Sequence, residues 1–187
     1  MINFPTIHTE RLLLRPIAAS DADFVIGHFL NPEVQRFLLD EPALTTPAEA
    51  LAIIDFYLSA PNPRYNRWLI VRQHDGCPIG TCGFHKWVAM HQRAEIGYDL
   101  SPSYWGHGYM FEAIQAMLDH GFGTLGLHRI EALVARENQR SARLLERLGF
   151  RAEGVLREYY QRDGQFFDHI QYALIATDRP ASVSSPH

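Results

Sequence analysis

The 187 residues carry 47% hydrophobic, 12% aromatic and 20% charged side chains, which excludes a disordered or fibrous chain. Seventeen Lys plus Arg against 21 Asp plus Glu leave a net charge of −4, excluding a general basic footprint for nucleic acid. A chain of this length buries about two-thirds of its unfolded surface, so its core needs no metal or disulfide staple.

The start, Met1 to Pro5, lacks a positive region followed by a long apolar run, so no signal peptide is expected. Arg11-Leu-Leu-Leu-Arg15 reads as a first strand, closed by Pro16. Ser20 to Asp23 then reads as a capping box opening a short helix, with Phe24, Phe29 and Leu30 near one face. Thr46-Pro47-Ala48-Glu49 is a stronger start signal, for a helix expected to run to about Ser59 and stop before Pro61. Asn31 to Thr45, between them, reads as an irregular loop or substrate-side lid.

Strand periodicity begins after residue 66. Arg67 to Arg72 and Ile79 to His85 flank the turn His74-Asp75-Gly76-Cys77. In the next strand, Arg93 to Leu100, alternation puts Glu95, Gly97 and Asp99 on one face and Ala94, Ile96, Tyr98 and Leu100 on the other. A helix over about Gly108 to Phe122 carries the stripe Phe111, Ile114 and Leu118. A strand at Arg129 to Ala135 precedes a helix at Asn138 to Leu148, ended by Gly149. Strands at about Ala152 to Tyr159 and Gln165 to Ile175 meet across Arg162-Asp163-Gly164. This order, about seven strands and four helices, predicts one α+β domain with a mixed sheet over residues 1–176, followed by a frayed Ser/Pro-rich tail from Thr177 to His187.

The two cysteines, Cys77 and Cys82, form neither a redox pair nor a metal spacing, and the ten histidines contain no ligand cluster, so no metal is expected. No stretch reaches the roughly 18 consecutive apolar residues of a membrane span. The expectation is a reduced, cytoplasmic protein with no membrane or nucleic-acid partner; a homodimer is left open. Arg136, Arg140, Arg143, Arg147 and Arg151 are interleaved with Glu137, Glu146 and Glu153, which reads as a solvated face with intrahelical pairing.

Chemistry concentrates at Ser101 to Met110, where a strand meets a long helix through Gly106 and Gly108. First-turn amides at a helix start have no intrahelical acceptor, so glycines there suit a phosphate or pyrophosphate as well as a plain turn. The segment is neither a Walker loop nor the three-glycine dinucleotide fingerprint.

Taken with Asn138-Gln-Arg-Ser141 and Glu146 to Phe150, this segment resembles the GNAT acetyltransferase superfamily, in its ribosomal-protein N-terminal acetyltransferase (RimJ/RimL-like) branch. Ser103-Tyr-Trp-Gly106-His-Gly108 matches the superfamily's glycine loop, with Ser103 where many relatives carry Gln or Arg. Tyr104 to Tyr109, the opening Thr9 to Pro16 and the strand Glu95 to Tyr98 also match the branch, so the resemblance runs from about residue 8 to residue 175. It implies a splayed central sheet and acetyl-CoA as acetyl donor, held by Tyr98, Leu100, Ser103, Trp105, Gly106, His107, Gly108, Tyr109, Met110, Asn138, Ser141 and Arg143.

The resemblance also implies direct transfer to an amine acceptor in a ternary complex. It gives Glu95 the position of the general base, with His85 as the alternative, and Ser141 the role of supplying a proton to the departing thiolate. Many relatives use a tyrosine seven residues after the asparagine for that step, and Leu145 stands there. Each assignment has a plainer counterpart: Glu95 paired with Arg93 or Arg67, Ser141 in an exposed first turn, and Asn138 as a helix cap. His28 and His120 read as surface or helix-end residues, while Tyr159 and Tyr160 suit either the acceptor pocket or edge packing. The acceptor is read as a primary amine, a protein N-terminal α-amino group or else a polyamine, amino acid or aminoglycoside-like compound; a non-catalytic acyl-CoA-binding module is the remaining rival.

Overall fold

A computed structural model describes residues 4–58 and 65–179. One mixed sheet contains β1 (Ile7–His8), β2 (Leu12–Pro16), β3 (Trp68–Arg72), β4 (Pro78–Val88), β5 (Arg93–Leu100), β6 (Arg129–Ala135), β7 (Arg151–Arg162) and β8 (Gln165–Ile175). Their spatial order is β1-β2-β3-β4-β5-β6-β8-β7. All neighbours are antiparallel except β5 and β6. The helices are α1 (Ala22–Phe29), α2 (Pro32–Gln35), α3 (Pro47–Leu58), α4 (Tyr109–Asp119) and α5 (Gln139–Arg147).

The eighth strand, β1, is a two-residue pairing of Ile7 with Leu14 and His8 with Leu13, too short to show alternation in sequence. The stretch expected to be irregular contains α2, started by Pro32 and capped by Asn31, whose Oδ1 accepts from the Glu33 amide. α4 is shorter than the periodicity implies and passes into one wide turn, where the Leu125 amide reaches the His120 carbonyl at 3.0 Å. The expected end of α3 beyond Leu58 lies outside the described residues.

The larger core fills one face of the sheet. Met110, Ile114, Met117 and Leu118 of α4, with Ala142 and Leu145 of α5, pack on Leu12, Leu14, Trp68, Ile70, Phe84, Ile96 and Ile130. A smaller cluster of Ile17, Val25, Phe29, Ala50 and Ile54 joins α1 and α3 over the other face. α1 does not start with a Ser20 capping box. Asp21 accepts from the Ala18 amide at 2.8 Å and is gripped by both terminal nitrogens of Arg15 at 2.6 and 2.8 Å. A carboxylate answering an arginine as well as an amide outcompetes a serine hydroxyl.

His28 and His120, read as surface or helix-end residues, do stand at the ends of α1 and α4, but inside the protein, 4% and 8% exposed. Amphipathic helices can bury a polar tip when the fold supplies partners or ring contacts, and His120 lies 5.7 Å from the Trp68 ring. The tail is docked at its beginning, since Asp178 pairs with Arg151 at 3.0 Å and Arg179 pairs with Asp119. From residue 180 onward it lies outside the described residues. Among the described residues the arginine series shows no ion pair within its helix. Arg136 pairs with Asp168, and Arg140 and Arg147 stack on Trp105 and Phe111.

Gly83 brings β4 against the residue before β3's neighbour Arg67: a Cβ there would sit 2.0 Å from the Asn66 carbonyl oxygen. Backbone cannot yield as a side-chain tip does, so Gly83→Ala should cost about 3 kcal/mol or more. Gly154→Ala, with nothing within 4 Å, should stay within about 0.5 kcal/mol. Urea unfolding of the two variants checks the contrast.

Candidate active site

β5 and β6 share only three residue pairs, Arg93 with Arg129, Ala94 with Ile130 and Glu95 with Glu131. Beyond Glu95 they part, while β5 stays laddered to β4 as far as Leu100 and β6 to β8 as far as Ala135. A cleft of about 1220 Å³ opens at the divergence. Its wall includes Glu95, His85, Tyr98, Leu100, Trp105, Gly106, Gly108, Tyr109, Met110, Asn138, Ser141 and Arg143. Ser103 and His107 lie outside that wall, exposed on the loop. Met110 turns its side chain into the core and is 8% exposed.

The glycine loop is left-handed at two places, with φ of +82° at Gly106 and +80° at Gly108, the residue that caps α4. Any other residue at Gly108 would be strained by its backbone. A latch from the chain's start pins the loop. Glu112 in the first turn of α4 accepts from the Thr9 hydroxyl, the Arg11 amide and Arg11 Nε, while Arg11 Nη1 donates to the His107 carbonyl at 3.0 Å. These charge-assisted bonds hold the Glu112 carboxyl below its ordinary value, against the opposing effect of burial. Trp105 Nε1 donates to the Leu100 carbonyl at 2.7 Å, and the Arg140 guanidinium lies 3.9 Å over the Trp105 ring. Trp105 thus helps to shape the loop.

α5 begins on the other side of the cleft. Asn138 is its cap, Oδ1 accepting from the Ser141 amide at 3.2 Å, which is the plain reading of that asparagine. Ser141 Oγ faces the gap and hydrogen-bonds Tyr98 Oη at 2.5 Å, across from β5. Leu145, one turn on, is fully buried in the core.

Glu95 points from the opposite face of β5. Its partner is neither Arg93 nor Arg67. Arg93 pairs with Glu131 and Arg67 with Asp99, whereas Lys86 Nζ lies 3.1 and 3.2 Å from the two Glu95 oxygens. A bulge makes this pair. Between the His85–Glu95 and Val88–Arg93 pairings β4 carries an extra residue, and Lys86 takes φ of +48°. Burial raises the Glu95 carboxyl above its ordinary value despite Lys86. Its cross-strand neighbour His85 lies over Gly97, where a Cβ would fall 2.6 Å from the ring. His85 is not poised near neutrality: burial, with Arg67 and Lys86 nearby, pushes its pKa down to about 3. Nε2 is buried without a partner among the described residues.

A GNAT acetyltransferase domain model matches residues 11–151. The chain belongs to the GNAT acetyltransferase family. It is 38% identical over 173 residues to the uncharacterized N-acetyltransferase YoaA of Bacillus subtilis, covering 92% of this chain and 97% of that protein. It is 27% identical to the spermidine N(1)-acetyltransferase of Escherichia coli, over 97% and 94% of the two chains. Among solved structures, Mycobacterium smegmatis RimJ in complex with CoA-disulfide superposes with a TM-score of 0.79 at 29% identity, covering 90% and 84%. The protein is therefore an acetyl-CoA-dependent N-acetyltransferase, and the RimJ likeness agrees with the branch read from the sequence.

This GNAT site fits its cofactor. A left-handed glycine pair opens an eleven-residue helix, and β5 beyond Glu95 offers a strand edge to the cleft. Among the described residues no metal-binding cluster occurs.

Sequence reasoning missed the polar layer beneath α1. His28 Nε2 lies 2.6 Å from Asp99 Oδ1 and Nδ1 lies 2.8 Å from Ser101 Oγ. Asp99 also accepts from Thr81 and Arg67, and these contacts lower its carboxyl although burial opposes them. It missed Lys86 because a bulge breaks strand alternation. It missed Arg162, which donates to the carbonyls of Gln35, Leu38 and Glu41 and so ties the last hairpin to the segment after α1. Tyr160 lines the cleft, while Tyr159 is 47% exposed.

The depressed His85 value has a stability consequence. Unfolded histidine binds a proton below about pH 6.5, whereas folded His85 stays neutral until about pH 3, so folding loses free energy as pH falls through that window. Between pH 7 and 5, His85→Gln should lose less stability than the parent, by about 1–2 kcal/mol; parallel denaturant titrations at the two pH values measure it.

Proposed function

We propose that this GNAT enzyme acetylates an isolated primary amine set beside apolar surface, the α-amino group of a peptide or protein, by direct attack in a ternary complex. The observation that carries this reading is the acceptor side of the cleft. Glu95 stands there with Lys86 against it, Arg67 lies nearby, and Leu38, Phe56, Tyr57 and Tyr65 supply apolar wall. One ammonium can be received by Glu95, but the further ammoniums of a polyamine would meet Lys86 and Arg67 at close range. The likeness to a spermidine acetyltransferase supports a second reading, a polyamine lying along Glu33, Glu41 and Glu49 at the outer wall. The family match sets aside a non-catalytic module.

Bound acetyl-CoA supplies the activated acetyl thioester. The amides from Trp105 to Met110 receive its pyrophosphate at the start of α4, with Arg140 and Arg143 beside them. Glu95 takes the proton from the amine, and its raised carboxyl pKa brings it nearer the task than an ordinary carboxylate. His85, neutral and weakly basic, is the poorer proton acceptor of the two. Ser141 presents its hydroxyl to the sulfur that leaves. Glu95 and Tyr98, the partner of Ser141, lie on opposite faces of β5, so proton removal and leaving-group support come from opposite sides. Neither cysteine serves as nucleophile: burial pushes the Cys82 thiol up to about 12, and Cys77 Sγ is engaged with Tyr104 Oη at 3.3 Å.

Purified protein with acetyl-CoA should acetylate short peptides at the α-amino group in preference to spermidine or aminoglycosides, as read by product mass together with thiol release. Preference for spermidine reverses the choice. Glu95→Gln should lower turnover roughly 100- to 10,000-fold with little change in CoA affinity, and the defect should shrink at high pH, where the amine is already neutral. Equal turnover across the pH series removes Glu95 as base. Gly108→Val should stay folded yet weaken CoA binding by about tenfold or more, measured by calorimetry, because valine strains the loop at positive φ.

A further inference from the structure

Ser141 has an unusual partner. Among the described residues, its Oγ makes one hydrogen bond, to a phenol arriving from β5 rather than from its own helix. The helix position from which a phenol might serve the cleft, Leu145, is apolar and fully buried. The Ser141 amide is already bound by the Asn138 cap, so nothing in the helix start calls on the hydroxyl.

A serine hydroxyl owns one hydrogen and two lone pairs. When Tyr98 donates into one lone pair, the hydrogen of Ser141 must point elsewhere, and the open direction is the gap between β5 and β6. Donation into Oγ also polarises the Ser141 O–H and makes it a stronger donor. Burial favours the neutral phenol, raising Tyr98 above its ordinary value, so it keeps a proton to donate at neutral pH, and Tyr98 is here taken as the donor of the shared bond.

We propose that Tyr98 is a positioning residue that aims and strengthens the Ser141 hydroxyl as hydrogen-bond donor to the sulfur of CoA. The phenol acts on the sulfur through the serine, and the place beside the cofactor that the resemblance gives Tyr98 is a separate matter. No proton changes owner in this arrangement: the electron pair of the broken C–S bond rests on sulfur, stabilised by Ser141 O–H, and the thiolate takes its proton from solvent. The inference rests on Ser141 facing the leaving sulfur, as set out under the proposed function.

CoA itself is the probe, so no acceptor is needed. The thiol of bound CoA is titrated by its thiolate ultraviolet absorption in the parent, Tyr98→Phe, Ser141→Ala and the double variant. The parent should hold the thiol below its value in free CoA. Ser141→Ala should return it toward that value, Tyr98→Phe should raise it by about half a unit to one unit, and the double variant should match Ser141→Ala. With a working acceptor, Tyr98→Phe should lower kcat by about three- to tenfold and leave KM for acetyl-CoA unchanged. In the parent, the Tyr98 hydroxyl proton should give a downfield NMR signal that vanishes in Ser141→Ala, a readout that requires no change at Tyr98.

A Tyr98→Phe protein whose bound thiol titrates like the parent, while Ser141→Ala shifts it, overturns this inference and leaves the role of Ser141 standing. An unshifted thiol in Ser141→Ala overturns both. A larger shift from Tyr98→Phe than from Ser141→Ala also overturns it, since the phenol would then be the group at sulfur.

Discussion

Two parallel strands can separate only where their freed backbone groups find other company and where each strand is held from its far side. β5 and β6 meet the second condition, and for the first the open edge of β5 faces the cleft. Each keeps a full antiparallel ladder with its outer neighbour, so the parting after Glu95 is a fixed gap between two firm edges. The Leu100 carbonyl at its mouth is taken by the Trp105 indole, and the Arg136 amide extends the β6–β8 ladder to the Asp168 carbonyl. The glycine loop, the start of α5, the Lys86–Glu95 pair and the apolar wall of Leu38, Tyr57 and Tyr65 all take their places around that gap.

The pleat of β5 then divides labour. Residues two apart share a face, so Glu95, Gly97 and Asp99 look toward α1 and the acceptor side, while Tyr98 looks toward α4 and α5. Gly97 leaves room for the His85 ring, and Asp99 ties the strand to His28 and Arg67. A polar layer of this kind is expensive to leave half-satisfied. Here each Asp99 oxygen has donors from two or more directions, which fixes the height of α1 above the sheet.

Much of this was legible in the residues. Strand alternation located β5 at its observed ends, Arg93 and Leu100, Gly106 and Gly108 marked the loop, and the Asp163-Gly164 turn marked the last hairpin. Local chemistry suffices for such features because a turn or a cap is decided by a few adjacent residues. What remained hidden depended on residues far apart in sequence. His28 becomes an interior residue only because Asp99 and Ser101, more than seventy positions away, come to meet it. The Glu95 partner was misread because opposite charges at regular register pointed to arginines, and a bulge moved Lys86 into reach instead. β1 and α2 were missed for want of length; periodicity needs several residues before it speaks. Ser141 stood out by motif, but its bond to Tyr98 did not, since the resemblance gives Tyr98 to the cofactor and says nothing of a tie across the gap.

Arg162 gives the molecule a temporal order. The carbonyls it grips belong to Gln35, Leu38 and Glu41, residues made early in synthesis, while the guanidinium itself emerges near the end. Both strands that frame the gap, β5 and β6, are translated before that strut exists, whereas β8 follows it. The wall around Leu38 thus gains its strut only when Arg162 has been made, and the β6 edge of the gap gains its β8 ladder later still.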